Sequence, residues 1–458
     1  MAAPIDRDRV AALTEQELDL FARRTPVSLD RCRTAVTASM PLGVPTGVCS
    51  VDPYPITIDH GAGAYLVDVD GNQYVDYANG FGTTVFGHAH PKITEAIARQ
   101  AGRGTHFGAL TDPVVSWAQH LCGRFGLNWV RFSSSGTEAT MDALRLARAH
   151  TGRSKIIKIE GGYHGSHDYA LVSNNAAVLD ERAGPDGQPA SQPIGEGISP
   201  RVLDEVIAVP FNDTQAARRA LAAGDVAALI IEPILFNVGT IWPRDGYLRD
   251  LRDACDEHGA LLIFDEVKSA ATVAWGGAEE LFGVRPHIKC VAKGIGGGLP
   301  VGAFGDTDGR CFELVESWRV PHLGTFAGNP LAAAAGYAAL TDVLTRDAYL
   351  NLNHHGRRLR QRLQRVIDQH DLPAYVTGAG AKGCVVWVDG EPLRDFRDYQ
   401  RRFDMQLGYL AWLYLLNRGV FLAPGQDEQW THSVFHGDVE ADLFVGAFEQ
   451  LAAELRAA

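Results

Sequence analysis

The stretch ALLIFDEV at residues 260–267 decides the fold of this chain. It is a short apolar run that ends on carboxylates, which is typical of a strand buried on both faces of a sheet. Similar runs occur at KIIKIE (155–160), VAALIIEP (226–233) and KCVAKG (289–294), with helical stretches such as GYLRDLRDACDEHG (246–259) between them. The alternation of buried strands and helices predicts an α/β protein whose mostly parallel sheet is covered by helices.

The segments on either side of this sheet have a different pattern. Residues 6–24 form an amphipathic helical pattern, and AYLVDVDGNQYVDYANG (64–80) predicts a β-hairpin with Asp70-Gly71 at its turn. A Gly-, Pro- and Ser-rich stretch at 174–200 predicts a long loop, and CVVWVDG and GVFLAP near the end predict two more strands. We therefore predict an N-terminal segment over 1–79 that joins the small domain, a large domain over 80–335 and a small α+β domain over 336–458.

Composition and charge limit the function classes and the partners. The formal net charge is −13 and no basic stripe is present, which argues against a nucleic-acid partner. The seven cysteines are scattered without a C-x-x-C pair, which is typical of a reducing compartment. The start of the chain lacks an apolar signal region, and no apolar run is long enough to span a membrane. We expect a cytoplasmic protein with no membrane partner.

Charged residues stand where three of the predicted strands end. They are Glu232, Asp265 and Lys293, each directly after an apolar run. Ligands of an open parallel sheet bind beyond the carboxyl ends of its strands, so these side chains are candidates for one site. The alternative is that all three are ordinary strand-end charges in water, and their coincidence at one sheet edge argues against it.

A glycine turn between a strand and a helix adds a candidate phosphate site. The stretch RFSSSGTEAT places Ser135, Gly136 and Thr137 at the start of the helix, where free N–H groups and the helix dipole favour an anion. A plain capping box, Ser135-x-x-Glu138, explains the same residues. Taken together, a phosphate cradle, a lysine and a carboxylate are what pyridoxal 5'-phosphate (PLP) requires: the lysine binds its aldehyde and the carboxylate keeps its pyridine nitrogen protonated.

The chain resembles the class III PLP-dependent aminotransferases, and most closely the glutamate-1-semialdehyde 2,1-aminomutase-like branch. The resemblance covers roughly residues 40–345, and its motifs are, in order, GAYLVDVDGNQYVDY, GHAHP, RFSSSGTEATMDALRLARAHTGR, KIEGGYHGSHD, IIEP, ALLIFDEV, AKGIGGGLPVGAFG and GTFAGNPLAAAAG. It implies a fold type I PLP-dependent transferase, with a mostly parallel seven-stranded sheet between helices and a smaller α+β domain. It also implies a homodimer with shared active sites.

The resemblance assigns a role to each candidate residue. Lys293 would form the Schiff base with PLP, Asp265 would pair with the pyridine nitrogen, and Val267 would pack under the ring. Tyr163 would stack over the ring, with Asn237 near the cofactor hydroxyl and Glu232 shaping the same region. Ser135, Gly136 and Thr137 would hold the phosphate, and Thr325 would reach the phosphate of the neighbouring subunit.

Two further motifs suggest other chemistry. His164 and His167 have the spacing of an H-x-x-H metal pair, but no third ligand is apparent, so we expect no metal site. GIGGGLP resembles a nucleotide-binding loop, but it follows Lys293 and does not stand in the strand–helix frame that such a loop requires.

The chain departs from the family pattern on the substrate side. DEVKSAATVAWGG replaces the usual DEVxTGFR and introduces Lys268, and Ser134 stands where the family has Asn. The loop MPLGVPTGVCS (40–50) has no arginine, whereas related enzymes carry one there that binds the substrate carboxylate. We infer that the substrate is not simply glutamate-1-semialdehyde. It would be an amine or amino-sugar-like compound, or a carboxylate held by another cation.

The sequence therefore predicts a PLP-dependent aminotransferase that moves an amino group from an amine or amino acid donor to a carbonyl acceptor. An aminomutase, which transfers the group within one molecule, and a racemase or epimerase use the same apparatus and are the alternatives. A non-catalytic protein with this fold is a rival of another class, and the intact Lys293, Asp265 and phosphate motif argue against it.

Overall fold

A computed structural model of the protein describes residues 4–174, 189–423 and 430–457. The chain divides into two compact units. The first unit comprises Met1–His90, Leu350–Pro392 and Arg402–Ala458, and the second comprises Pro91–Tyr349 and Leu393–Arg401. The domain boundaries inferred from the sequence stay a prediction. The inclusion of the short segment 393–401 in the second unit was not foreseen.

Strands form three sheets. In chain order they are β1 Ile58–Ala62, β2 Tyr65–Asp68, β3 Gln73–Asp76, β4 Arg131–Ser133, β5 Lys155–Ile159, β6 Val206–Val209, β7 Val226–Ile231, β8 Leu261–Asp265, β9 Ile288–Ala292, β10 Gly302–Asp306, β11 Tyr375–Thr377, β12 Lys382–Val386, β13 Val420–Phe421 and β14 Trp430–Thr431. The second unit holds a seven-stranded sheet in the order β4-β10-β9-β8-β7-β5-β6. The first unit holds the sheets β1-β2-β3-β13 and β11-β12-β14.

Helices of six residues or more account for much of the remainder. They are α1 Arg7–Arg24, α2 Pro26–Ala38, α3 Pro91–Ala101, α4 Asp112–Phe125, α5 Gly136–Thr151, α6 Pro200–Glu205, α7 Thr214–Leu221, α8 Tyr247–His258, α9 Gly277–Phe282, α10 Pro330–Ala338, α11 Arg346–Gln369, α12 Phe396–Arg402, α13 Met405–Asn417 and α14 Asp438–Arg456. Among the described residues, no helix combines the length and hydrophobicity needed to pass through a lipid bilayer.

The seven-stranded sheet is parallel over most of its width. Strands β6, β5, β7, β8 and β9 pair in parallel, and β10 runs antiparallel between β9 and β4. Every residue of β7, β8 and β9 is buried, because helices and loops cover both faces. Helix α5 contributes Ala139, Ala143 and Leu146 to the core that contains Ile230 and Ile263. The mostly parallel sheet predicted from the sequence is confirmed.

The first unit has a core of its own, built from large apolar side chains. The buried aromatic residues Trp387, Trp430 and Phe444 belong to it, together with the apolar helix α13. The predicted hairpin is confirmed, since β2 and β3 pair antiparallel on either side of Asp70-Gly71. The predicted strand at 419–424 covers only Val420–Phe421, and residue 424 lies outside the described residues.

Candidate active site

The carboxyl edge of the seven-stranded sheet carries the charged residues singled out from the sequence. Glu232 directly follows β7, Asp265 is the last residue of β8, and Lys293 directly follows β9. These strands are neighbours in the order β9-β8-β7, so the three residues leave the sheet at one edge. The strand-end positions predicted from the sequence are therefore those seen in the structure.

The glycine turn Ser135–Thr137 begins the 16-residue helix α5. The hydroxyl of Ser135 accepts a hydrogen bond from the N–H of Glu138 at 3.2 Å, and the Glu138 carboxylate accepts one from the N–H of Ser134. The Ser135 half of the predicted capping box is therefore present, whereas Glu138 accepts from Ser134 and not from the N-cap residue Ser135. Capping does not compete with anion binding, because the first turn of a helix offers several N–H groups and a positive dipole end.

Gly136 brings the turn against two other parts of the site. A Cβ atom at this position would lie 2.9 Å from Val267 Cγ2 and 3.4 Å from the Cβ of Ala292, the residue before Lys293. Strand β10 places Gly302 opposite both Ser133 and Ala292, which fixes the same neighbourhood from the sheet. The turn, Val267 and the base of Lys293 are thus adjacent, and the absence of a side chain at Gly136 permits this.

Asp265 is held by a buried histidine. His164 Nδ1 lies 2.7 Å from Asp265 Oδ2, and both side chains are buried. Asp265 Oδ1 accepts the N–H of Val267 at 3.0 Å, and the His164 carbonyl accepts the Thr140 hydroxyl at 2.6 Å. Burial lowers the pKa of His164, which favours the neutral ring. A carboxylate only accepts, so the proton of the neutral ring is assigned to Nδ1.

His164 is the residue whose role sequence reasoning missed. The sequence suggested a metal pair with His167, whereas the structure joins His164 to Asp265. Among the described residues, no group of three or more His, Cys, Asp or Glu side chains is arranged to hold a metal ion. The only available signal was the position of His164 directly after Tyr163, and it does not by itself reveal a partner about a hundred residues away.

Tyr163 and Asn237 meet at Glu232. Glu232 Oε1 accepts the Tyr163 N–H at 2.8 Å and the Asn237 Nδ2 at 2.8 Å. Burial raises the pKa of Glu232 to about 7, against the opposing charge of Lys268. Its second oxygen, Oε2, is buried without a hydrogen-bond partner among the described residues. Tyr163 itself is 40% exposed.

A buried lysine in β5 holds the turn Gly161-Gly162-Tyr163. Lys158, in β5, is fully buried, and its ammonium group donates to the carbonyl of Gly162 at 2.5 Å. Burial lowers the pKa of Lys158 to about 7, while Glu232 and Glu160 act in the opposite direction. The Gly-Gly-Tyr turn is therefore positioned by a lysine that no sequence motif singles out.

Lys293 has an unusual backbone conformation. Its φ angle is +54°, in the left-handed region that non-glycine residues rarely adopt. Such strain is seen most often at functional positions, where the surrounding structure holds it in place. Lys293 is half-buried at the start of a short 3₁₀ turn, Lys293–Gly296.

Thr325 does not lie among these residues. It is exposed, and it lines a surface groove of about 770 Å³ together with His106, Phe107 and Leu110. Large apolar side chains around it, Leu323 and Phe326, are also exposed. The other candidate residues lie at the carboxyl edge of the sheet, whereas Thr325 lines this surface groove.

The gathered residues fit PLP. The helix start with Ser135 and Thr137 suits the phosphate, the histidine-held Asp265 suits a protonated ring nitrogen, and the aromatic side chain of Tyr163 suits stacking on a ring. The buried and unpartnered Oε2 of Glu232 shows that the protein alone does not satisfy this site. Fold and site together define a PLP-dependent transferase of fold type I.

Comparison with known proteins names the family. The model of the class-III aminotransferases matches residues 48–392, and the chain belongs to that family and is a PLP-dependent enzyme. It is 37% identical over 404 residues to glutamate-1-semialdehyde 2,1-aminomutase 1 of Staphylococcus carnosus (strain TM300), covering 88% of this chain and 91% of the relative. The resemblance inferred from the motifs is confirmed.

Solved structures show the same fold. An omega-transaminase from Sphaerobacter thermophilus superposes with a TM-score of 0.88 at 33% identity, covering 94% of this chain and 98% of that one. A variant of a glutamate-1-semialdehyde aminomutase from Pseudomonas aeruginosa PAO1, in complex with PMP, gives a TM-score of 0.89 at 29% identity, covering 98% and 99%. Both a transaminase and an aminomutase therefore share this architecture.

Proposed function

We propose that this protein is an aminotransferase in which Lys293 binds PLP covalently and Asp265 pairs with its pyridine nitrogen. The observation that carries the proposal is the buried Asp265–His164 pair, 2.7 Å apart, beside the contact of Gly136 with Val267 and Ala292. It brings together the residues that would serve as the ring-nitrogen partner and the phosphate-binding turn, next to the residue that precedes Lys293. The substrates would be an amine or amino acid donor and a carbonyl acceptor.

The side chains of the protein would bind the cofactor and transfer protons. When bound, PLP supplies an electron sink for the pair left on the substrate carbon. The Nζ atom of Lys293 would take the proton from that carbon and return it at the neighbouring position, acting as a general base and then a general acid. Asp265 would hold the proton on the ring nitrogen, and His164 would fix the orientation of that carboxylate.

The remaining residues would orient the cofactor. Ser135, Gly136 and Thr137 would bind the phosphate through backbone N–H and hydroxyl groups. Thr137 is held in place because its Oγ1 accepts the Ser166 N–H at 3.2 Å. Tyr163 and Val267 would enclose the two ring faces, and Asn237 would reach the cofactor hydroxyl from its position on Glu232.

A homodimer with shared active sites is part of the proposal. The groove beside Thr325 is bordered by the exposed side chains of Phe107, Leu110, Leu323 and Phe326, which is an unusual cluster for a surface that faces only water. A second copy that covers this surface would bury those side chains and receive Thr325 at its own phosphate site.

All seven cysteines are free thiols, which supports a cytoplasmic location.

An aminomutase is the second candidate function. It is favoured by the 37% identity to the Staphylococcus carnosus aminomutase over most of both chains. The absence of an arginine in residues 40–50 and the presence of Lys268 argue that the substrate-binding residues differ from those of the aminomutases. Both activities would use Lys293 and Asp265 in the same way.

Spectroscopy of the purified protein with PLP tests the proposal. The visible band of bound PLP should be lost with some amino donors in the absence of an acceptor, and it should return when a carbonyl acceptor is added. A band that persists with every donor, together with isomerisation of glutamate-1-semialdehyde, would support the aminomutase. A protein that shows no band after incubation with PLP would contradict the proposal.

A further inference from the structure

A short segment far along the chain packs on the carboxyl ends of three neighbouring strands. It comprises residues 393–401 and includes most of helix α12. The strands are β7, β5 and β6, which stand side by side in the seven-stranded sheet. The loops after β7 and β5 carry Glu232 and Tyr163, so the segment borders the candidate active site.

Each strand end makes its own contact with this segment. After β5, a Cβ atom on Gly161 would lie 2.6 Å from the ring of Phe396, so the ring rests directly on the glycine. After β6, Asn212 Nδ2 donates to the carbonyl of Arg394 at 2.8 Å. After β7, a Cβ atom on Gly239 would lie 3.4 Å from the ring of Tyr399. The segment is therefore fixed at three points.

The packed segment presents one arginine at the base of the Gly-Gly-Tyr turn. Arg397 Nε lies 2.9 Å from Glu160 Oε2, and Arg397 Nη2 lies 3.3 Å from Glu160 Oε1. Glu160 is the residue directly before Gly161-Gly162-Tyr163 and is nearly fully buried, whereas the Arg397 side chain is 26% exposed. Within residues 4–174, 189–423 and 430–457, Nη1 of Arg397 has no hydrogen-bond partner.

This arrangement suits the recognition of an anion. A guanidinium group held on one edge by a carboxylate keeps its other N–H groups in a fixed orientation, and a carboxylate ligand can accept from them. Glu160 also restrains the side chain, so little conformational entropy is lost when a ligand binds. The loop at residues 40–50 has no arginine, which leaves the anion-binding role to a cation elsewhere.

We propose that Arg397, held by Glu160, is the specificity-determining residue that binds a carboxylate group of the amino donor. The proposal rests on the proposed function, since Arg397 pairs with Glu160, which directly precedes the turn that carries the candidate site residue Tyr163. The donor class it selects is an amino acid whose carboxylate lies away from the reacting amine.

The neighbouring Arg401 provides a matched control. It lies on the same helix, its side chain is 67% exposed, and it is 3.7 Å from Asp398. It carries the same charge as Arg397 but is not paired with Glu160. Arg401→Gln therefore removes one positive charge from the segment and leaves the Arg397–Glu160 pair intact.

The test compares two donors of equal length, 5-aminopentanoate and pentylamine. The rate at which each donor removes the visible band of the PLP-loaded protein is measured against donor concentration, with no acceptor present. In the wild type, we expect 5-aminopentanoate to reach its half-maximal rate at a concentration at least tenfold lower than pentylamine does. In Arg397→Gln, the ratio should fall to within threefold of one, with Arg397→Lys between the two and Arg401→Gln like the wild type.

A binding measurement without turnover complements the kinetics. Glutarate, which has carboxylates and no amine, is titrated calorimetrically into the PLP-loaded proteins. It should bind the wild type and Arg401→Gln, with at least tenfold weaker binding to Arg397→Gln. Should Arg397→Gln fail to fold because Glu160 is left unpaired, the double variant Glu160→Gln/Arg397→Gln replaces it, since it removes the carboxylate that would otherwise be buried without its arginine.

The outcomes separate this inference from the proposed function. A wild-type protein without the visible band contradicts the role of Lys293. A wild-type protein that has the band but shows the same donor ratio and glutarate affinity as Arg397→Gln overturns the role of Arg397 alone. Equal losses in Arg397→Gln and Arg401→Gln would show a general effect of charge and would also overturn it.

Discussion

Two histidine–aspartate pairs lie at opposite ends of strand β8, and they differ in the hydrogen bonding of the second ring nitrogen and in the burial of the aspartate. At the carboxyl end, His164 Nδ1 is 2.7 Å from Asp265, and its Nε2 is buried without a hydrogen-bond partner in the described part of the chain. At the amino end, His287 Nε2 is 2.9 Å from Asp256, and its Nδ1 accepts the Leu262 N–H at 2.8 Å. One pair is left incomplete by the protein, and the other is fully hydrogen-bonded.

This difference separates a site from a structural contact. The His287–Asp256 pair uses both ring nitrogens, and Asp256 is about half exposed, so it needs no ligand to be satisfied. The His164–Asp265 pair is almost completely buried, and it lies among other incompletely satisfied groups such as Glu232. Buried polar groups without partners are costly, and a ligand that pairs with His164 and Glu232 would remove that cost.

The largest expected effect on the rate is that of Asp265→Asn, which is compared with Asp256→Asn. Asp265→Asn should lower the rate of amino transfer by about a thousandfold or more, because a neutral side chain does not hold the proton on the ring nitrogen. Asp256→Asn, the matched change at the other end of β8, should leave the rate within about threefold. Single-turnover rates with a reactive donor give the measurement. Similar losses in both variants would show that the two ends do not differ in function.

Substitution of His164 should also lower the rate of amino transfer more than substitution of His287, but the difference should be smaller than that between the two aspartates. His164→Gln should lower the rate by about 10- to 100-fold, because Asp265 loses the partner that orients it. His287→Gln should change the rate by less than about threefold, although it should lower the free energy of unfolding by about 1–3 kcal/mol through lost buried hydrogen bonds. Kinetics and denaturant unfolding of both variants are compared. A larger kinetic effect at His287 would contradict the comparison.

A substitution at Gly136 tests the close contact at the proposed phosphate-binding turn. Gly136→Ala would place a Cβ atom 2.9 Å from Val267 Cγ2, so the turn and Val267 must move apart. We expect PLP affinity to fall about tenfold, since the phosphate and ring contacts are both displaced. Gly123→Ala is the control, because a Cβ atom there meets nothing within 4 Å. Unchanged PLP affinity in Gly136→Ala would remove this turn from the site.

The last expected effect is a pH dependence of stability at the His287–Asp256 end of β8. Burial lowers the pKa of His287 to about 4 from its ordinary value of 6.5, so the folded protein keeps the ring neutral while the unfolded chain takes up a proton. Stability should therefore fall as the pH is lowered from about 6.5 to about 4, by on the order of 2 kcal/mol from this residue. The free energy of unfolding of His287→Gln should fall less over the same range than that of the wild type. Equal slopes would contradict this account.

Much of the site was predictable because local sequence determines where strands end. Apolar runs followed by Glu232, Asp265 and Lys293 required only the rule that ligands bind beyond the carboxyl ends of parallel strands. The hairpin at 64–80 was predictable because alternating side chains and Asp70-Gly71 specify it within a few residues. These features depend on short-range patterns.

Other features depend on contacts between distant residues and were not predictable. Strand β10, Gly302–Asp306, has two glycines and no strong strand signal, and it is a strand because it fits between β9 and β4. The pairing of His164 with Asp265 and the return of residues 393–401 to the second unit join positions far apart in the chain. Local propensity and periodicity carry no information on such pairs.

The most direct test of the central claim is to locate the lysine that binds PLP. The PLP-loaded protein is treated with borohydride, which reduces the carbon–nitrogen double bond and fixes the cofactor on its lysine. The protein is then digested, and the masses of the peptides are measured by mass spectrometry. We expect the added mass on the peptide that contains Lys293, and its loss in Lys293→Ala. Added mass on Lys158, Lys268 or another lysine, or on none, would contradict the account.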